Sequence, residues 1–413
     1  MNHFHYLKGE LHAEEVPLRA IADQVGTPTY VYSRATLVRH FDVISAAFAD
    51  RPHLLCYSVK ASSNLALLHL FAQLGAGFDI VSGGELLRVL EAKGEPGRVV
   101  FSGVGKTRDE MARAHRAGIL LFNVESAEEL ELLDAVGRES GRPAPFAVRV
   151  NPDVNARTHR HIATGHGATK FGVPFAEASA LYERSRRMKG VTARGVDCHI
   201  GSQLTSLAPL ERAMRKISEL AAALAARGHT ISFVDVGGGL GIVYKDEHPP
   251  SPVDYARAVA RATAATFATV ILEPGRVIAG NAGVLLTRTI VRKQAPKKTF
   301  VVVDAGMNDL VRPALYGAHH EVRPVKKRRG RAVTVDLVGP VCESSDVLAR
   351  DRRMVLPEQG ELLAVSTAGA YGMTMASNYN SRPRPAEVLV EGSSFRVVRE
   401  REKPQDLWRG EAL

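Results

Sequence analysis

Between Leu54 and Arg276 eight short apolar runs recur, each ending in a polar or glycine-rich tip and each followed by a stretch with helical spacing. They are LLCYSVK (54–60), GFDIVS (77–82), VVFSG (99–103), LLFNVES (120–126), FAVRVNP (146–152), GVDCHIGS (195–202), FVDVGGG (233–239) and VILEPGR (270–276). Such spacing is what repeated strand, crossover helix and parallel strand produce, and eight units of this kind can close a barrel. The pattern predicts an α/β chain built on a (β/α)8 TIM-like barrel. Chemistry in that fold gathers at the C-terminal ends of the strands. The tips Lys60, Asp79, His199, Gly237 to Gly239 and Glu273 to Arg276 are therefore expected to converge in one mouth.

Helical patterns separate the runs. GELLRVLEAKG (84–94) closes on Gly94, and ESAEELELLDAVG (125–137) opens with a Ser/Glu capping pattern. Upstream, Leu18, Ile21 and Val25 mark a short helix after Pro17, TPTYVYS (27–33) reads as a strand, and a second helical pattern follows Ser33. After Arg276 the periodicity changes to β-branched runs: GVLLTRTIVRK, KTFVVVDAG, AVTVDLVGP, ELLAVST, AEVLVEG and FRVVRERE. A second, mostly β domain is expected there, since a barrel alone takes roughly 250 residues. The segment STAGAYGMTMASNYNSRPRP (366–385) has too much turn character for a regular strand, and loops of such length tend to be functional.

The 413 residues carry a formal charge of +10, but basic and acidic residues are interspersed except in RKQAPKK (292–298) and VKKRRGR (325–331). Aromatic residues do not interleave with these charges, so both runs are read as solvated hairpin loops and no nucleic-acid partner is expected. A general attraction for anionic substrates stays open. The start, MNHFHYLKGELHAEE, does not resemble a signal peptide, and no apolar run reaches the roughly 18 residues that span a bilayer. The expectation is a cytoplasmic chain without a membrane partner. Cys56, Cys198 and Cys342 stand far apart, in neither a disulfide framework nor a metal-ligand spacing. Three free thiols and no metal site are expected.

Lys60 ends a buried strand, where desolvation favours the neutral amine that condenses with carbonyls. It could equally be a mouth lysine paired with Asp79 or Glu273. Glycines 237, 238, 239 and 241 follow a strand directly and would let backbone N–H groups approach a phosphate, or simply form a tight turn. They do not fit the dinucleotide G-x-G-x-x-G pattern, and GVGKT (103–107) lacks the glycine that a Walker A loop needs at position 100. Glu273 and Arg276 put a carboxylate and a guanidinium at the last strand end, able to hold a pyridine nitrogen protonated or to form a salt bridge. His199 could stack on a cofactor ring or be a satisfied interior histidine.

Taken together, YSVKAS, GFDIVSGGEL, HIGSQL, DVGGGLG, EPGR, GPVCESSD and AYGMTMASNYNSRPRP resemble, in order, the signatures of the group IV, fold-type III pyridoxal-phosphate (PLP) dependent decarboxylases. The resemblance runs from about Val31 to Gly392 and is greatest to the branch acting on diaminopimelate. It implies an alanine racemase/ornithine decarboxylase-like fold, with a PLP-binding barrel over 34–278 and a β domain of 279–413 to which 1–33 contributes. It also implies loss of CO2 from meso-2,6-diaminopimelate to give L-lysine, the last step of lysine biosynthesis. Ornithine, arginine and carboxynorspermidine are the alternative substrates.

The same resemblance assigns residues. Lys60 is the Schiff-base lysine with Asp79 near it, His199 stacks on the ring, and Glu273 contacts the ring nitrogen. Ser202, Gly238, Gly239, Gly275 and Arg276 hold the phosphate. Arg276, Arg312 and Tyr316 clamp the distal carboxylate, an arginine fork being suited to bidentate pairing. Glu343 receives the distal ammonium, Tyr371 contacts cofactor and substrate, and Cys342 is the proton donor. NARTHRHIATGHGATKFGV (155–173) matches an active-site lid, and a homodimer whose partner chain completes each site is implied.

Overall fold

The computed structural model describes residues 2–154 and 170–413, so the lid-like segment expected at 155–173 lies, up to residue 169, outside the described residues. The chain forms two compact units. One comprises Phe41–Ile242 and His248–Val277, the other Met1–His40, Val243–Glu247 and Ile278–Leu413.

The first unit is a closed barrel of eight parallel strands: β1 His53–Ser58, β2 Gly77–Ile80, β3 Val99–Phe101, β4 Leu121–Val124, β5 Ala144–Asn151, β6 Val191–Asp197, β7 Phe233–Asp235 and β8 Thr269–Leu272. Each strand pairs with the next in order, and β8 pairs with β1 to close the ring. All eight apolar runs became barrel strands, because strands buried on both faces leave no polar alternation to blur the run. Several run ends fall beyond the strands: Lys60 lies in a short 3-10 turn, Val59–Ala61.

Side-chain alternation divides the barrel interior into layers. Cys56, Val100, Leu121, Ala147 and Ile271 belong to one buried apolar cluster. Two residues further along each strand stand Ser58, Ser102, Asn123, Arg149 and Glu273. A period of two keeps i and i+2 on one face, so a polar layer sits above the apolar one, toward the strand C-termini. The helices between strands are locally specified. Ser126, for example, accepts from the N–H of Glu129 at 3.1 Å to cap Ala127–Glu139, a contact worth about 1 kcal/mol.

In the second unit the central pairing joins sequence ends. Thr29–Ser33 lies antiparallel to Gly283–Gln294 on one side and parallel to Ala386–Glu391 on the other. The sheet continues through Thr299–Val303, Ala332–Val338 and Val347–Val355, with Ser394–Arg399 at its far edge. A small sheet of Phe4–Leu7, Glu10–Ala13 and Val16–Pro17 leads into the helix Leu18–Val25. Phe4, Leu11, Leu18 and Ile21 share a core with Val31, Val284, Leu286 and Val388. Neither the N-terminal sheet nor Val347–Val355 was expected from the sequence. The first has strands of four residues or fewer. The second, VLARDRRMV, carries charge because its outer half is largely exposed.

The basic run 292–298 is a hairpin connection, Gln294 pairing with Thr299. The run 325–331 is not. Its flanking strands pair elsewhere, Val322–Pro324 with Leu362–Val365 and Ala332–Val338 with Thr299–Val303. Its backbone instead bonds the N-terminal turn, Leu11 N–H to Val325 O at 2.7 Å and Lys327 N–H to Gly9 O at 2.8 Å. Two of its charges have local partners: Arg328 pairs with Glu358 and Glu361, and Lys327 lies 4.2 Å from the Tyr6 ring centre. Among the described residues no helix is long and apolar enough to cross a membrane.

Candidate active site

At the strand ends of the barrel, Lys60 Nζ donates to Asp79 Oδ2 at 2.8 Å, and Ser58 Oγ donates to the same oxygen at 2.6 Å. Ser58 and Asp79 are register partners on β1 and β2, which places the lysine turn directly over the carboxylate. Asp79 is fully buried, whereas 40% of the Lys60 side chain remains accessible. An accessible primary amine is thereby tethered to a rigid acidic anchor.

Glu273 follows β8 and is buried. Ser102 Oγ lies 3.3 Å from its Oε1. Asn123 Nδ2 donates to Ser102 Oγ and to Asp235 Oδ2, each at 3.1 Å, and the N–H of Gly237 donates to Asp235 Oδ1 at 2.9 Å. Since Ser102 accepts from Asn123, its own proton is left for Glu273. Burial first, then the negative charge of Asp79, push the Glu273 carboxyl up to about 7. Burial and the neighbouring Glu273 also push Asp197 and Asp235 well up. Arg149 is the interior counter-charge, bonding Glu125 Oε1 at 3.0 Å, with Asp197 at 3.9 Å.

His199 is half-buried. Its Nδ1 accepts the Gly238 N–H at 3.2 Å, which leaves the neutral ring's proton on Nε2. Desolvation, with help from Arg149 and Lys60, holds its pKa well below the ordinary histidine value. The imidazole is a neutral, flat group.

The glycine turn beside it is sterically required. A Cβ at Gly238 would stand 2.3 Å from Glu273 O, and Gly239, at φ +102°, would meet Gly201 O at 2.4 Å. Leu204 N–H to Gly239 O (2.8 Å) and Gly241 N–H to Leu204 O (3.1 Å) stitch the loop carrying half-buried Ser202 to this turn. Gly275 packs closely on Ser58 and Ala61, where a Cβ would be 2.9 Å from each side chain, and Arg276 opens the short helix after it.

In the second unit, Arg312 is buried at the start of the helix Arg312–Tyr316, whose end, Tyr316, is half-buried. Cys342 and Glu343 are exposed. Asn380 Oδ1 accepts the Cys342 N–H at 2.9 Å, and Tyr379 Oη donates to Glu343 Oε1 at 2.5 Å. Tyr371 has a φ of +58°, a conformation that non-glycine residues adopt at a cost and that clusters at functional sites.

The structure thus brings Lys60 to Asp79 and His199 to Gly238, while Cys342 and Glu343 gather with the 366–385 loop. Ser58, Ser102, Asn123, Glu125, Arg149, Asp197 and Asp235 were not singled out in the sequence. For Ser58, Ser102, Asn123 and Arg149 the signal was a polar residue in an apolar run, two positions after a buried interior residue.

The model of the family "Pyridoxal-dependent decarboxylase, pyridoxal binding domain" matches residues 34–280. The chain is 52% identical to the diaminopimelate decarboxylase of Vibrio cholerae, over 100% of this chain and 99% of that one. Diaminopimelate decarboxylase from M. jannaschii superposes with a TM-score of 0.95 at 36% identity, covering 100% of this chain and 98% of that one. The Helicobacter pylori enzyme complexed with L-lysine gives 0.92 at 40% identity, with 95% and 98% covered. The chain belongs to the diaminopimelate decarboxylase family of pyridoxal-dependent decarboxylases.

Proposed function

We infer that this chain catalyses the PLP-dependent decarboxylation of meso-2,6-diaminopimelate to L-lysine and CO2, the last step of lysine biosynthesis. The observation that carries this reading is its 52% identity, over the full chain, to a diaminopimelate decarboxylase. The barrel keeps a reachable lysine amine at its strand ends.

Three features fit PLP. The Lys60 amine is accessible and anchored, the backbone at Gly238 and Gly239 leaves no room for side chains, and Glu273 is a buried acid whose pKa of about 7 suits sharing a proton with a ring nitrogen. Lys60 would hold the cofactor through Nζ, with Asp79 orienting the amine. Glu273 would keep a proton at the ring nitrogen, and neutral His199 would lie against the ring face. Ser202, Gly238, Gly239, Gly275 and Arg276 would hold the phosphate. Bound there, PLP supplies an electron sink for the electron pair left behind as CO2 departs.

The remaining roles concern the substrate. Arg276, Arg312 and Tyr316 bind the distal carboxylate, Glu343 takes the distal ammonium, and Tyr371 contacts cofactor and substrate. Cys342 Sγ returns a proton to the α-carbon. Cofactor binding belongs to the barrel, 34–278, and Arg312, Glu343 and Cys342 to the β domain of 1–33 and 279–413. The working form is a homodimer in which the partner chain completes each site; the exposure of Cys342, Glu343 and Tyr379 on the single chain supports this. The compartment is the cytoplasm, in keeping with three free cysteines.

The test is a coupled CO2-release assay on PLP-loaded protein with meso-diaminopimelate, L,L-diaminopimelate, ornithine and arginine. Turnover confined to the meso isomer is expected. Turnover of ornithine or arginine instead would remove the assignments of Arg276, Arg312 and Glu343.

A further inference from the structure

We propose that His320, together with Tyr244, positions the Arg312 guanidinium for a substrate carboxylate and so governs affinity for substrates that carry a distal carboxylate. The inference rests on the reading of Arg312 as a clamp residue and adds what holds it in place.

Arg312 is only 5% exposed, and its NH1 lies 2.9 Å from His320 Nε2. His320 is fully buried, and its Nδ1 lies 2.9 Å from the Ser366 carbonyl oxygen. A carbonyl oxygen can only accept, so Nδ1 carries the proton. Nε2 then offers a lone pair and accepts from the guanidinium, which can only donate. The chain runs in one direction, from Arg312 through His320 to Ser366, and fixes the neutral tautomer.

Tyr244 fixes the second degree of freedom. Its ring centre is 4.7 Å from Arg312 Cζ, within cation–π range, and it meets the His320 ring edge-on at 5.6 Å and 79°. The histidine ties one edge of the guanidinium and the tyrosine ring holds its plane.

The choice of a neutral acceptor has a chemical consequence. A carboxylate in the place of His320 would hold the arginine equally firmly but would neutralise it. An imidazole lone pair orients the fork and adds no counter-charge of its own. A preorganised planar fork loses less freedom when it pairs bidentately. His320 and Tyr244 act through Arg312 and are positioning residues.

The test uses PLP-loaded enzyme and steady-state kinetics with meso-diaminopimelate. His320→Asn keeps a donor for Ser366 but draws the acceptor away from Arg312; His320→Gln restores an acceptor at the reach of Nε2. For His320→Asn the KM is expected to rise about ten-fold, the ratio that loss of one charge-assisted hydrogen bond produces. Its kcat and bound-cofactor absorbance are expected to stay near wild type. His320→Gln should recover most of the KM. Tyr244→Leu should raise KM by roughly three-fold, in keeping with a lost cation–π contact, and serves if His320→Asn does not fold.

A wild-type KM in His320→Asn, or a parallel fall of kcat and cofactor absorbance, would overturn the proposal. Arg312→Ala separates the two levels of the argument. If it raises KM while His320→Asn does not, only the positioning role falls. If Arg312→Ala leaves KM unchanged, the clamp reading falls and this inference with it.

Discussion

Lys60 and Asp79 form an ion pair, Nζ to Oδ2 at 2.8 Å, between a turn that follows one barrel strand and the interior of the next strand. Asp79 satisfies two donors at once, the second being Ser58 Oγ. Replacing Asp79 by Ala strands both donors. The cofactor-free barrel is expected to lose about 1–3 kcal/mol, toward the lower end because water can reach the lysine. Urea unfolding reads this directly, and a midpoint equal to wild type would remove Asp79 as an anchor.

Glu273 makes stability depend on pH. Its folded pKa, about 7, lies above the ordinary glutamate value. The folded cofactor-free chain therefore holds the proton more tightly than the unfolded chain. That contribution is complete below about pH 4.5 and is lost as pH rises through about 7. Against Glu273→Gln, which cannot ionise, wild type should match at pH 4 and fall behind by on the order of 1–3 kcal/mol at pH 8. Thermal melts of both at the two pH values decide it; a constant gap would show that Glu273 is charged throughout.

Gly238→Ala forces a Cβ to within 2.3 Å of the Glu273 carbonyl oxygen, a backbone atom that cannot swing aside. Overpacking of this kind costs about 1–3 kcal/mol. The turn should also open, so PLP should dissociate faster from the variant in a dilution experiment. Unchanged retention would separate this turn from phosphate binding.

Cys342→Ala tests the proton donor. General acid catalysis contributes roughly 10²- to 10⁴-fold, so kcat should fall within that range while bound-cofactor absorbance is retained. Because Cys342 is exposed and only its backbone N–H is bonded to Asn380, the fold should tolerate the change. Full turnover would assign the proton to another group.

Sedimentation addresses the dimer. Two chains per particle are expected at assay concentrations, with specific activity falling as dilution dissociates them. A fully active single chain would show that Cys342 and Glu343 need no partner.

How far the sequence could be read depended on where each residue's partners lie. The eight barrel strands were legible because each is a continuous apolar run, and Lys60, His199 and Glu273 because they stand at the ends of such runs. Ser102, Asn123, Arg149 and Asp235 stand inside the runs, and only the closed barrel turns them toward one another. His320 was invisible for a different reason. Its partners Tyr244 and Ser366 are remote in the chain, and a buried histidine has no local spacing that marks it. The exposed half of Val347–Val355 resembled a loop, since an edge strand facing water carries the charges of one.

The strand Thr29–Ser33 lies between Gly283–Gln294 and Ala386–Glu391, so both its neighbours are made long after it leaves the ribosome. During synthesis its N–H and C=O groups have no sheet to join until the whole barrel has been translated. The barrel's own strand pairs are sequential and can close as they emerge. Translation order therefore lets the barrel strands pair before Thr29–Ser33 can meet its neighbours. A truncation between Val277 and Gly283 would leave the barrel attached to an apolar β-strand with both edges open, the arrangement most prone to pairing with other chains.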